Sequence, residues 1–126
     1  MSGLLLDTNV VVAYLGGNAK LGRRAAAVIE ASRGSAVVSA VSIFEIATNA
    51  AIGKLPAPAD LSGIVVRAGF EPLAVRFSHA ERVRDLPLLH RDPFDRLLVA
   101  QAQVEELVLL TTDAQLSAYD IDCHIL

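Results

Sequence analysis

The chain has 126 residues, 53% of them hydrophobic, and a formal net charge of −3. That length suits one domain, and the composition supports a real core and argues against disorder. The acidic balance argues against binding nucleic acid through bulk positive charge, though not against a local contact patch or a metal that supplies the charge.

Aromatic residues make up 5% and Trp is missing, so the core is expected to consist of Ala, Val, Leu and Ile. Such a composition suits helices packed on a buried parallel sheet. A single cysteine, Cys123, leaves no disulfide framework or cysteine-based zinc site within the chain. The start, Met1-Ser2-Gly3-Leu4-Leu5-Leu6-Asp7, has no basic region and too short an apolar run for a signal peptide. No stretch is long enough to span a bilayer without charges. The expectation is a soluble cytoplasmic protein with no membrane association.

In chain order, Leu4-Leu5-Leu6 predicts a short buried strand ending at Asp7. Thr8 to Leu15 continues apolar until Gly16-Gly17 stops it. Asn18 caps a predicted helix from Ala19 to about Ser32, with Arg33-Gly34 ending it. Ala36-Val37-Val38 is a second strand, after which Ser39 or Ser42 can cap a helix over Val41 to Ile52, terminated by Gly53. Asp60-Leu61 starts a short helix to about Ala68, and Phe70 to Val75 predicts a third strand. Ser78 is the expected cap of a helix over His79 to Asp85. A helix to about Glu105, a strand at Leu107 to Leu110, a helical turn and the segment Ile121 to Leu126 complete the chain. Alternating strands and helices with no linker or repeat predict one α/β domain over residues 1–126, built on a parallel sheet.

The helix ending near Glu105 begins at "HRDPFDRLLVAQA". Asp92 fits its N-cap and Pro93 its first position, and Asp95 falls where the helix dipole favours negative charge. That explains the stretch without chemistry, unless other carboxylates meet Asp95. Asp7 and Asp113 each follow an aliphatic strand, and ligands of parallel α/β sheets gather beyond such strand ends. Glu45 lies on an otherwise apolar helix, sharing a narrow polar stripe with Ser42, Thr48 and Asn49. Taken singly, Asp7 and Asp113 can be caps, Asp95 a favoured first-turn residue and Glu45 a solvated one. Jointly, they form a cluster whose repulsion calls for a hard divalent cation, Mg²⁺ or Mn²⁺, which prefers oxygen ligands. A cation so held suits phosphodiester hydrolysis. Thr8 or Thr112 can orient a ligand or water there, or simply cap a helix. His79, His90 and His124 are not assigned to the cluster; His90 is expected to be a loop residue.

The blocks "LLLDTNVVVAYL", "SAVSIFEIATNAAIGKL", "LHRDPFDRLLVAQA" and "LVLLTTDAQLSAYDI" resemble, in order and spacing, those of the PIN-domain family. Within it they are most similar to VapC-like ribonuclease toxins of bacterial toxin–antitoxin pairs. The resemblance implies a three-layer α/β/α sandwich with a central parallel sheet and a metal-dependent endoribonuclease. It carries the acidic residues onto Asp7, Glu45, Asp95 and Asp113, as catalytic and metal-binding groups for Mg²⁺ or Mn²⁺. Thr112 matches a hydroxyl before the last aspartate, Asn9 a polar position after the first, and Asp92 an N-cap with an auxiliary role. Where related chains often carry a Lys one turn after the glutamate, this one has Asn49, leaving Lys54, Arg91 and Arg96 as candidates to hold RNA. The implied partners are an RNA substrate, a cognate antitoxin that inserts a basic side chain into the cleft, and a second copy of the chain.

Two rivals are weighed against this reading. A phosphoacceptor receiver domain needs a second acid at the first strand end and a late Lys, but no Lys follows Lys54. A catalytically silent PIN-like binding module has no need of the acids.

Overall fold

A computed structural model describes residues 3–32 and 35–126. The expected stop at Arg33-Gly34 and the first two residues of the expected leaderless start lie outside the described residues. Five parallel strands, β1 (Leu4–Leu6), β2 (Ala36–Ser39), β3 (Glu71–Leu73), β4 (Val108–Thr111) and β5 (Cys123–Ile125), form one sheet in the order β3-β2-β1-β4-β5. Among the described residues, six α-helices surround it: α1 (Thr8–Val12), α2 (Ala19–Ala31), α3 (Ala40–Ala51), α4 (Leu61–Arg67), α5 (Phe77–Arg82) and α6 (Pro93–Glu105). Among the described residues, no helix is long and apolar enough to cross a membrane.

Strand alternation divides the core between the two sheet faces. Leu4, Leu6, Val38 and Leu110 pack with Val10, Ala25, Ile46 and Val65 from the α1, α2, α3 and α4 side. Leu5, Val37 and Leu109 pack with Val41, Leu98, Val99 and Leu116 on the other side. Helix α3 contributes to both faces. The result is the expected α/β/α sandwich. Val10, Val11, Leu61 and Val65 are buried in this core.

Local chemistry sets most element ends. Asn18 Oδ1 accepts from Leu21 N–H, Ser39 Oγ from Val41 N–H, and Asp92 Oδ1 from the N–H groups of Phe94 and Asp95. Gly53, at φ +77°, closes α3 in the left-handed region that side chains disfavour. Two expectations fail. The third strand is shorter than predicted because Pro72 lacks an N–H, which confines it to a sheet edge and limits its pairing. Helix α5 begins at Phe77 without a Ser78 cap, because buried His79 reaches back and accepts the Arg76 N–H at Nδ1, 2.9 Å away.

Arg96 is corrected more sharply. It is one of three candidates to hold RNA, but it is buried, and its guanidinium donates to the carbonyls of Pro87 (2.8 Å), Val83 (3.1 Å) and Leu86 (3.4 Å) and to the Tyr119 hydroxyl. It clamps the loop before α6. Arg96→Ala strands these acceptors and is expected to cost about 2–4 kcal/mol, read as a lower urea midpoint. An unchanged midpoint would mean that water replaces the clamp.

Candidate active site

Strand order reverses across β1: the chain winds outward to β2 and β3, then returns to β4 on the other flank. In open parallel sheets this switch point forms a crevice beyond the carboxyl ends of the strands. Asp7 follows β1 there and Asp113 follows β4. The N-terminal turn of α6 brings Asp95, and α3 brings Glu45.

Asp7 is 4% exposed and tightly held. Its Oδ1 accepts from Thr8 N–H at 2.8 Å, and its Oδ2 from the Thr111 hydroxyl at 2.7 Å. Burial pushes its pKa up, the two hydrogen bonds oppose this, and Asp113 and Asp92 add repulsion. An ionised carboxylate has about four lone-pair sites, so each oxygen of Asp7 can still meet a cation.

Glu45 Oε1 is buried without a hydrogen-bond partner. Burial raises the Glu45 pKa, the Thr8 hydroxyl counteracts it, and Asp92 and Asp7 raise it further. Asp95 carries the largest strain. Burial, followed by the charges of Asp7 and Asp92, pushes its pKa up to about 7, with Glu45 adding and His90 opposing. Asp7, Glu45, Asp92 and Asp95 therefore act on one another electrostatically.

Two residues enter the site that sequence reasoning placed elsewhere. His90 Nε2 lies 3.2 Å from Asp113 Oδ2 and 3.6 Å from Asp95 Oδ2, bridging the two carboxylates. His90, Asp95 and Asp113 can bring one ligand atom each to within 4.8 Å of one another. Thr111, not Thr112, is the buried hydroxyl beside the last aspartate. It donates to Asp7 and accepts from Asp113 N–H at 3.0 Å, while Thr112 is exposed. Thr8 and Ser42 hydroxyls bond each other at 3.0 Å and fix α1 against α3.

The remaining candidates are less engaged. Asp92 is the N-cap expected of it and also adds charge to the cluster. Asn9, Lys54 and Arg91 are exposed, and Asn49 is half-buried. Of the three cations named for RNA, Arg91 follows His90 directly in the chain, and Arg96 is removed by its clamp role.

The donors fit a divalent cation. They are almost all carboxylate oxygens, and one buried oxygen has no protein donor, a costly arrangement unless something positive meets it. One imidazole at the rim is compatible with Mn²⁺ as well as Mg²⁺.

A doubly wound sandwich with acids gathered at its switch point defines a class of α/β domain with an acidic cleft. Residues 4–122 match the PIN domain, and the chain belongs to that family, a family of nucleases. No curated protein sequence matches the chain. Its fold is similar to a chain of VapBC2 from Rickettsia felis bound to a promoter DNA fragment, with TM-score 0.72, 12% identity and 98% of each chain covered. It is similar also to a chain of DNA-bound VapBC from Salmonella typhimurium, with TM-score 0.69, 18% identity and 99% and 98% covered. A toxin–antitoxin complex from Klebsiella pneumoniae contains a third similar chain, with TM-score 0.63, 21% identity and 87% and 86% covered.

Proposed function

We propose that this chain is a divalent-metal-dependent endoribonuclease and the toxin of a toxin–antitoxin pair. The observation that carries the reading is the partnerless buried oxygen of Glu45 set among Asp7, Asp92 and Asp95. Such an anionic cluster, at the switch point of a PIN domain, needs a cation to be stable when ionised. In this reading Asp7, Glu45 and Asp95 hold Mg²⁺ or Mn²⁺ directly or through water, and Asp113 completes the outer coordination or a second site. The bound ion supplies a polarised phosphodiester and an acidified water.

The chain's own groups do the rest. Thr111 fixes the Asp7 carboxylate, so one of its faces is presented to the cleft. The Thr8–Ser42 bond keeps Glu45 aimed at the same space by locking α3 to α1. His90, between Asp113 and Asp95, ties the loop before α6 to the end of β4. Arg91 offers a positive contact for RNA at the rim.

The similarity to chains crystallised in VapBC complexes supports a separately encoded antitoxin, whose Arg or Lys side chain enters the acidic cleft in place of the cation. A homodimer and a cytoplasmic setting belong to the same proposal. The test is cleavage of total RNA by purified protein with Mn²⁺, with fragment ends mapped and EDTA as control. Protein that leaves RNA intact in Mn²⁺ and Mg²⁺ would refute the proposal. Glu45→Gln is expected to weaken Mn²⁺ binding by about tenfold or more in calorimetric titration; equal affinity would remove Glu45 from the ligand set.

A further inference from the structure

From the bonds made by its two ring nitrogens, we infer that His90 meets the cation site as a hydrogen-bond donor, a positioning residue for Asp113, and not as a ligand of the ion. The half-buried imidazole stands close enough to be a ligand: its Nε2 lies 3.2 Å from Asp113 Oδ2 and 3.6 Å from Asp95 Oδ2. The other nitrogen decides between the two roles. Nδ1 accepts the Asp92 backbone N–H at 3.2 Å, and an accepting ring nitrogen carries no hydrogen. The neutral ring then has its hydrogen on Nε2, facing Asp113. The opposite tautomer, which frees an Nε2 lone pair for a metal, sets one N–H against another at Nδ1, and so does the doubly protonated ring. A ligating histidine shows the reverse pattern, with its second nitrogen donating to a carboxylate, carbonyl or water. The Asp92 donor is itself fixed, because Asp92 caps α6 and its carboxylate holds the N–H groups of Phe94 and Asp95.

The bond to Asp113 belongs to a longer series that runs in one direction. Asp92 N–H donates to His90, His90 to the Asp113 carboxylate, Asp113 N–H to the Thr111 hydroxyl at 3.0 Å, and Thr111 to Asp7 Oδ2 at 2.7 Å. The series joins the start of α6 to the ends of β4 and β1. Asp113 Oδ1 accepts from Gln115 N–H at 3.0 Å, so each oxygen of this carboxylate has a donor. Without His90 only the Oδ1 bond orients the group. Each oxygen keeps a lone-pair direction for a cation. A ligand set held in this way is made of oxygens alone, the kind that Mg²⁺ and Mn²⁺ accept. It gives no advantage to an ion that seeks imidazole, such as Ni²⁺.

This inference deepens the metal reading above and rests on it. Its test uses the full chain, labelled with ¹⁵N at histidine and titrated with Mg²⁺ at about pH 8.5, above the ordinary imidazole range. Ring ¹⁵N shifts and their couplings to the carbon-bound protons separate the two tautomers, and the His90 signals are those missing from His90→Gln. They should report an Nε2–H ring both before and after Mg²⁺ is added. A change to the Nδ1–H tautomer on loading would overturn the inference. Calorimetry gives a second reading. His90→Ala is expected to lower Mn²⁺ affinity about 10- to 100-fold and Ni²⁺ affinity by the same factor, because no nitrogen leaves the ligand set. A loss concentrated on Ni²⁺ would make His90 a ligand. Unchanged affinity for both ions would remove its positioning role. Protein that binds the ions as expected but leaves RNA intact would refute the ribonuclease and keep the assignment of His90. Protein that binds neither Mg²⁺ nor Mn²⁺ would overturn both.

Discussion

Asp95→Asn is expected to abolish RNA cleavage while making the metal-free protein more resistant to heat. The first effect follows from the charge that a cation needs. Removing one carboxylate from an acidic cluster sacrifices several kcal/mol of ion binding and charge stabilisation, on the order of a thousandfold in rate. The second follows from electrostatic strain. In the absence of a cation Asp95 ionises among Asp7, Asp92 and Glu45, which resist its charge. Asn has the same shape without that charge, and the helix start loses only the small dipole contribution of the acid, about 0.3–1 kcal/mol. Single-turnover cleavage of labelled RNA and thermal melting in EDTA measure the two effects. An undiminished rate would end the assignment; a lower melting temperature would mean that the ionised carboxylate supports the fold. Asp7→Asn should be equally inactive but gain less stability. Its Oδ2 accepts from Thr111, and an amide nitrogen there would face a hydroxyl already committed to donating.

The second large effect is on pH. The Asp95 carboxyl rises from 3.8 to about 7 in the folded protein, chiefly through burial. A raised carboxyl means that the folded state binds the proton more tightly than the unfolded chain does. Its stabilising contribution is therefore complete below about pH 3.8 and is lost as pH climbs through about 7. Asp7 and Glu45 are raised too and act in the same direction. Metal-free protein should thus lose stability from this cluster between pH 5 and 7.5. Mn²⁺ should reverse the loss, since it competes with protons for the same oxygens. At a hundredfold excess over its dissociation constant a ligand contributes about 2.7 kcal/mol, and the melting shift should be several-fold larger at pH 7.5 than at pH 5.5. The Asp95→Asn protein isolates the effect: its metal-free melting curve should vary less with pH than the wild type's. A wild-type profile parallel to that of the variant, or a Mn²⁺ shift independent of pH, would contradict the raised carboxyl.

The sequence made the frame legible where one residue decides a local structure. Aliphatic triplets announced β1 and β2, and Asn18, Asp60 and Asp92 announced helix starts that the structure contains. The acids were suspect because they stood at strand ends or on an apolar helix, positions that the structure turns toward one crevice. Other features left no local mark. Both faces of β4 are covered, so Leu109 and Leu110 are equally buried and the strand has no visible alternation. Without that parity, nothing distinguishes an inward Thr111 from an outward Thr112. His90 sits in a loop, where no periodicity reports direction, and the Asp92 turn folds it onto Asp113. Arg96 resembles any surface cation until the carbonyls it binds are known, and backbone carbonyls carry no sequence signature.

The hydrogen bond from Thr111 to Asp7 closes a span of 104 residues. Strand β1 emerges first during synthesis, yet one of its sheet neighbours and the donor to its carboxylate come near the end. A nascent chain halted before that point holds Glu45 and even Asp95 but lacks the strand that aligns Asp7. The contacts that orient Asp7 are thus among the most non-local in the domain, and long-range contacts of this kind form late in folding. The cleft's first carboxylate therefore takes its final orientation only after β4 has docked beside β1.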